Sequence, residues 1–280
     1  MHCKNAMKRH WAVAALPFLL TLVAPQAQAQ TTSSADRPSF TIHSAAGVQA
    51  ERGFSVTLET ENKQKFEVYL PELLVQMARE ANRGTIALIP ALDFVVVLPM
   101  PEFALLNRGK LPLLSEVNEP DHRLFELLPA GSNNRTYRRV HGVSVKTVPS
   151  GTSAELDARD ALSSLNSVCV NGMSGYQFEV RADSGRGFLL AACSNFNSMT
   201  ARALDPSIRG TFDVSMSYVI GDTAFRFYSI HRSESWNPDT GAPPLSEEQV
   251  QVVVALLDRA VIFEDIDEMT LTAAFLMASE

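Results

Sequence analysis

Two stretches near the start of the chain alternate strictly. Phe54, Val56 and Leu58 are separated by Ser55, Thr57 and Glu59, and Phe66, Val68 and Leu70 by Glu67 and Tyr69. A period of two marks a strand with one buried face, so the polar ENKQ run between them predicts a hairpin. Residues 39–43, with Phe40 and Ile42 on one side, predict an earlier strand. After Pro71 the period changes. Leu73, Leu74, Met77, Ala78 and Ala81 share one side of a helix predicted over 71–83, with Pro71 suited to its first turn and Gly84 to its end. Residues 85–89 and 94–98 are apolar, β-branched and bracketed by Pro90 and Pro99, as buried strands are. In 101–128 the runs FALLNRG and HRLFELL read as short helices joined by a proline-containing segment, with Asp121-His122 at a helix start.

The second half repeats these signals in a new order. Residues 137–148 predict a strand with an irregularity at Gly142, and Thr152 with Glu155 fits a capping box opening a helix over 153–168, whose stripe is Ala158, Ala161, Leu162 and Leu165. Two hairpins follow: 176–181 with 188–192 around ADSGRG, and 212–220 with 223–231 around Gly221-Asp222. A two-residue turn fixes register, which sets Met216 opposite Phe227 and Tyr218 opposite Phe225. Phe212, Val214, Met216, Phe225 and Phe227 then share one face, and Asp213, Ser215, Ser217, Arg226 and Tyr228 the other. Ser246 with Gln249 forms a capping box for a helix over 246–263 through Val250, Val253, Val254, Leu257 and Val261, followed by EDIDE and a last apolar piece at 271–277. The expected fold class is α+β: antiparallel β hairpins forming one or two sheets, with helices packed against them. The turn-rich run at 129–135 is a linker or loop between an N-terminal region, 39–128, and a C-terminal region, 136–280.

The first residues change where this fold is expected to work. Lys4, Lys8 and Arg9 precede a 14-residue apolar run over 11–24, and Ala27 and Ala29 stand at the −3 and −1 positions of a cleavage site before Gln30. This is the layout of a signal peptide, residues 1–29, with 30–38 as a flexible leader; the run is shorter than the roughly 20 residues that span a bilayer. The expected location is periplasmic or secreted, with no membrane span. The chain carries 24 basic and 31 acidic residues, a net charge of −7. Cleavage removes three basic residues and leaves 21 against 31, or −10. An acid excess argues against a nucleic-acid partner. Cys169 and Cys193 are the cysteines outside the leader, and in an oxidising compartment they are expected to form a disulfide.

Chemistry is sparse. HExxH, GxSxG, SxxK, Walker A and GxGxxG patterns are absent. His43, His122, His141 and His231 lie far apart, so neither a metal site nor a cofactor is expected from spacing. Asp93 interrupts an apolar run beside Pro90 and reads as a turn residue. Arg135, Arg138 and Arg139 form the densest basic cluster and are candidate anion contacts, although Arg138 and Arg139 would point to opposite sides of a strand. Arg226, Tyr228, His231 and Trp236 are candidates for a binding surface. If a helix covers the polar hairpin face, those polar groups are instead bonded in the interior. The expected function is a non-catalytic exported protein binding another envelope protein or a small ligand. The rival is a periplasmic hydrolase whose site is assembled from separate loops, drawing on Asp93, His122, His141 or His231.

Overall fold

A computed structural model describes residues 21–22, 37–59, 63–105, 113–129, 138–167, 169–170, 176–181, 185–193, 196–234 and 245–279. In chain order the elements are β1 (Thr21–Leu22), β2 (Ser39–Ser44), β3 (Gly47–Arg52), β4 (Phe54–Glu59), β5 (Lys65–Leu70), α1 (Glu72–Asn82), β6 (Ile86–Ala91), β7 (Phe94–Pro99) and α2 (Glu102–Leu105). There follow β8 (Leu113–Glu119), β9 (His122–Leu128), β10 (Arg139–Thr147), α3 (Ala154–Asn166), β11 (Tyr176–Arg181), β12 (Arg186–Cys193) and α4 (Ser198–Ala203). The chain continues through β13 (Gly210–Ile220), β14 (Thr223–Ser233), α5 (Glu247–Asp258), β15 (Val261–Glu264) and α6 (Glu268–Ala278).

Among the described residues the strands form three antiparallel sheets, in the orders β1-β4-β5, β3-β2-β15-β7-β6 and β11-β12-β13-β14-β10-β9-β8. The expectation of one or two sheets is therefore corrected to three. The β4-β5 hairpin turns its one apolar face to the helices: Val56, Leu58, Val68 and Leu70 bury themselves in one cluster with Leu74, Val75 and Ala78 of α1 and Ala273 and Ala274 of α6. The five-stranded sheet is covered on both faces. Val95 and Val97 belong to that helical cluster, whereas Val96, Leu98 and Ile262 meet Val143, Val145, Val214, Phe225 and Phe227 of the seven-stranded sheet. A strand buried on both sides has no polar face to alternate with, which accounts for the unbroken apolar run. Val250, Val254 and Leu257 of α5 join this second cluster, while α3 packs Ala158 against Leu189 and Ala191 on the far face of the seven-stranded sheet.

The β13-β14 register matches the two-residue turn: Met216 pairs with Phe227, Tyr218 with Phe225 and Ser217 with Arg226. Other expectations change. HRLFELL is strand β9 rather than a helix, hairpinned to β8 through Pro120-Asp121 and paired on its other side with β10. Half-buried residues on both of its faces erase the alternation that marks a strand. The helix predicted over 246–263 ends at Asp258. Val261–Glu264 instead forms β15, inserted between β2 and β7, where its β-branched and aromatic side chains fill the slot. Gly142 causes no bulge, since β10 pairs without interruption on both sides. A Cβ there would come within 2.4 Å of the Phe125 carbonyl and 2.9 Å of the Tyr228 hydroxyl, so close packing demands the glycine.

Helix ends follow their local chemistry. Ser246 and Gln249 form the reciprocal capping box, and Asp267 accepts from the Thr270 amide at the start of α6. At α3 the cap is Ser153, whose Oγ accepts from the Leu156 amide, while Thr152 Oγ1 donates to the Pro149 carbonyl; the expected Thr152 cap is displaced by one residue. The Cys169 and Cys193 sulfurs lie 1.97 Å apart, at disulfide distance, joining the chain beyond α3 to the end of β12. The turn-rich run at 129–135 lies almost wholly outside the described residues, and β9 and β10 on its two sides are hydrogen-bonded neighbours. Within the expected signal peptide, Thr21 and Leu22 pair with Glu59 and Leu58 at the edge of β4. No helix among the described residues is long and apolar enough to cross a membrane.

Candidate functional site

The two larger sheets do not close completely on each other. Where edge strand β6 passes over β9 and β10 they leave a cleft of about 250 Å³. Leu88, Ile89, Pro90 and Ala91 form one wall, and Leu124, Phe125, Val143 and Val145 the other, with Val117 of β8 alongside. Pro90 is tolerated because β6 has a partner on one side only and needs no further N–H. The next residue but one, Leu92, turns the chain into β7 with φ of 55°, a left-handed conformation unusual for a bulky side chain. Asp93 is exposed in that turn, as its neighbours suggested. Among the described residues lining the cleft, Arg123 carries the only charge. It sits on the inter-sheet face of β9 beside Phe125, and its Nη1 donates to the Glu119 carbonyl at 2.9 Å.

A polar cluster occupies the opposite face of the seven-stranded sheet. Arg226 Nη2 lies 3.3 Å from Asp213 Oδ2, its guanidinium stands 5.8 Å from the centre of the Tyr228 ring, and the Tyr228 hydroxyl donates to Glu126 at 2.6 Å. Helix α3 reaches the same face: Asp157 accepts from Ser217 at 3.0 Å and pairs with Lys146 at 2.8 Å. Asp213 is fully buried, with the Ser215 hydroxyl beside it. Burial raises the Asp213 carboxyl above the usual range, against the opposing pull of Arg226. Burial and the adjacent Glu126 carboxylate push Tyr228 well above a normal phenol.

Each histidine outside the leader has a partner. His43 contacts the Tyr218 hydroxyl at 2.9 Å through Nδ1 and Glu264 through Nε2, linking β2, β13 and β15 across the sheets. Arg186, almost wholly buried, stands 5.9 Å from the Tyr218 ring and donates to the Asp258 and Ala260 carbonyls at 2.7 and 2.8 Å, where α5 ends. A cation at a helix C-terminus satisfies its free carbonyls and opposes its dipole. His122 Nε2 lies 2.9 Å from Ser144 Oγ, and His231 Nε2 3.1 Å from Ser229 Oγ. His141 donates from Nε2 to the Pro99 carbonyl at 2.8 Å; burial holds its ring at about 4. Burial and the neighbouring Arg139 hold His231 at about 4 as well.

The candidate surface thus divides. Arg226 and Tyr228 stand together, His231 points from the other face of β14, and Trp236 lies outside the described residues. The arginine cluster divides too: Arg138 pairs with Glu234 and bonds Ser207, Arg139 is the cross-strand neighbour of His231, and Arg135 lies outside the described residues. Sequence reasoning missed Arg123, whose direction depends on β9 being a strand, and it missed the His43–Tyr218–Glu264 link, which joins residues far apart in the chain. No group of three or more His, Cys, Asp or Glu among the described residues is placed to hold a metal ion. The chain matches no protein-family model and no curated protein.

Proposed function

We propose that this is a non-catalytic exported protein that binds a small ligand in the cleft between its two larger sheets. The observation that supports this is the cleft itself: an apolar-lined space of about 250 Å³ between the two sheets. Apolar clefts with few polar groups are the usual form of a ligand site. A leader of signal-peptide composition and a cysteine pair at bonding distance support residence outside the cytoplasm. Titration of the neutral probe 2-phenylethanol should raise the melting temperature saturably, since a ligand that binds only the native state stabilises it by about 2.7 kcal/mol at one hundred times its Kd. Ala91→Leu, on the inter-sheet face of β6, should fill the space and abolish the shift. Equal shifts in the parent and the variant would place the probe elsewhere and defeat the reading.

A second reading, a hydrolase, draws on the Ser229–His231 pair at 3.1 Å, in which a ring held neutral could accept the serine proton. Labelling by a fluorophosphonate that disappears in Ser229→Ala is its test.

A further inference from the structure

Resting on the cleft reading, we propose that the ligand is a small monocarboxylate with a compact apolar body, its carboxylate held by Arg123. Size sets the body. The cleft of about 250 Å³ exceeds the roughly 150 Å³ cavity that accommodates benzene and falls below the roughly 300 Å³ at which pockets for drug-sized ligands begin. That leaves room for one ring or a short branched chain against Ile89, Phe125 and Val143, with a small head group.

Charge sets the head. Arg123 is the one charged group among the described residues of the wall, and its single hydrogen bond goes to the neutral Glu119 carbonyl. No carboxylate among the described residues comes within ion-pair distance of it. A guanidinium has five donors in a planar fork that matches a carboxylate edge. A neutral ligand would leave most of those donors unused, and an ammonium would be repelled. A phosphate ester would bring about two negative charges to one cation, with only apolar side chains to receive the second. The chain as a whole is acidic, so this recognition works against the overall field and must be local.

Three probes with one apolar body separate the parts of the argument: phenylacetate, 2-phenylethanol and 2-phenylethylammonium, each titrated calorimetrically into the whole protein. Phenylacetate should bind at least about tenfold tighter than the alcohol, the scale of charge-assisted hydrogen bonds, and the ammonium weakest. Arg123→Gln should erase the preference for the acid, bringing its affinity down to that of the alcohol, and an unchanged melting temperature of the unliganded variant reports that the cleft remains folded. Arg123→Met serves as the independent second variant. Equal binding of acid and alcohol by the parent, or a preference that survives both substitutions, overturns the carboxylate assignment and leaves the cleft reading standing. Failure of all three probes to bind overturns both.

Discussion

Gly142 shows how one missing atom can organise a sheet face. Its neighbours on β9 and β14 approach so closely that the Tyr228 hydroxyl crosses the space a Cβ would occupy on its way to Glu126. Gly142→Ala should cost about 2–3 kcal/mol, as overpacking does, measured by urea denaturation. Adding Tyr228→Phe should recover little, because the nearest obstacle is the main-chain carbonyl of Phe125. Full recovery in the double variant would show that the hydroxyl alone sets the constraint. His141 is the other telling residue. Its ring titrates at about 4 in the fold and near 6.5 when unfolded, so between those values the unfolded chain binds a proton that the native one refuses. Stability should therefore fall as pH drops from 6.5 to 4. Asp213, raised by burial, works in the opposite sense above the ordinary carboxylate range. His141→Gln keeps a donor for the Pro99 carbonyl and removes the titration. The loss of melting temperature between pH 7 and pH 4.5 should shrink in that variant; an unchanged loss would assign the acid sensitivity elsewhere.

Elements were legible where one face is polar and the turn is short. β13 and β14 meet both conditions, and their register followed from Gly221-Asp222 alone. β9 was not legible, because half-buried side chains on both its faces imitate a helix. β15 was hidden because the apolar period of α5 runs on through Ala260 with no glycine or proline to stop it. The cleft was illegible for a related reason: Leu88, Ile89, Val143 and Val145 are ordinary core residues in sequence, and only the pairing of two sheets leaves space between them. The cysteine pair was legible from compartment and spacing, and its partners are 24 residues apart. In the chain-entropy model a bond closing such a loop contributes about 3–4 kcal/mol. Replacing both cysteines with serine should lower the melting temperature while phenylethanol binding persists, since neither residue borders the cleft; loss of binding at an unchanged melting temperature would give the pair a different role.

At the scale of the molecule, β15 lies between β2 and β7, so the five-stranded sheet takes its central strand from near the C-terminus. Ile262 pairs with His43 on one side and Val96 on the other, and Glu264 with Tyr218 grips His43 from above. Ending the chain at Arg259 should therefore do more than shorten it. β2 and β7 would each present an open edge, α1 would lose its partner α6, and the product should aggregate in size-exclusion chromatography. A monomeric, cooperatively melting truncate would show that β15 is dispensable.

That placement also orders events in time. A ribosome delivers β2 and β7 long before β15, and neither can settle beside a strand that has not been made. The five-stranded sheet consequently cannot close until nearly the whole chain is present, so that part of the fold stays open for most of synthesis. On the proposed export route this delay is useful, because a translocation channel passes threads more readily than finished folds.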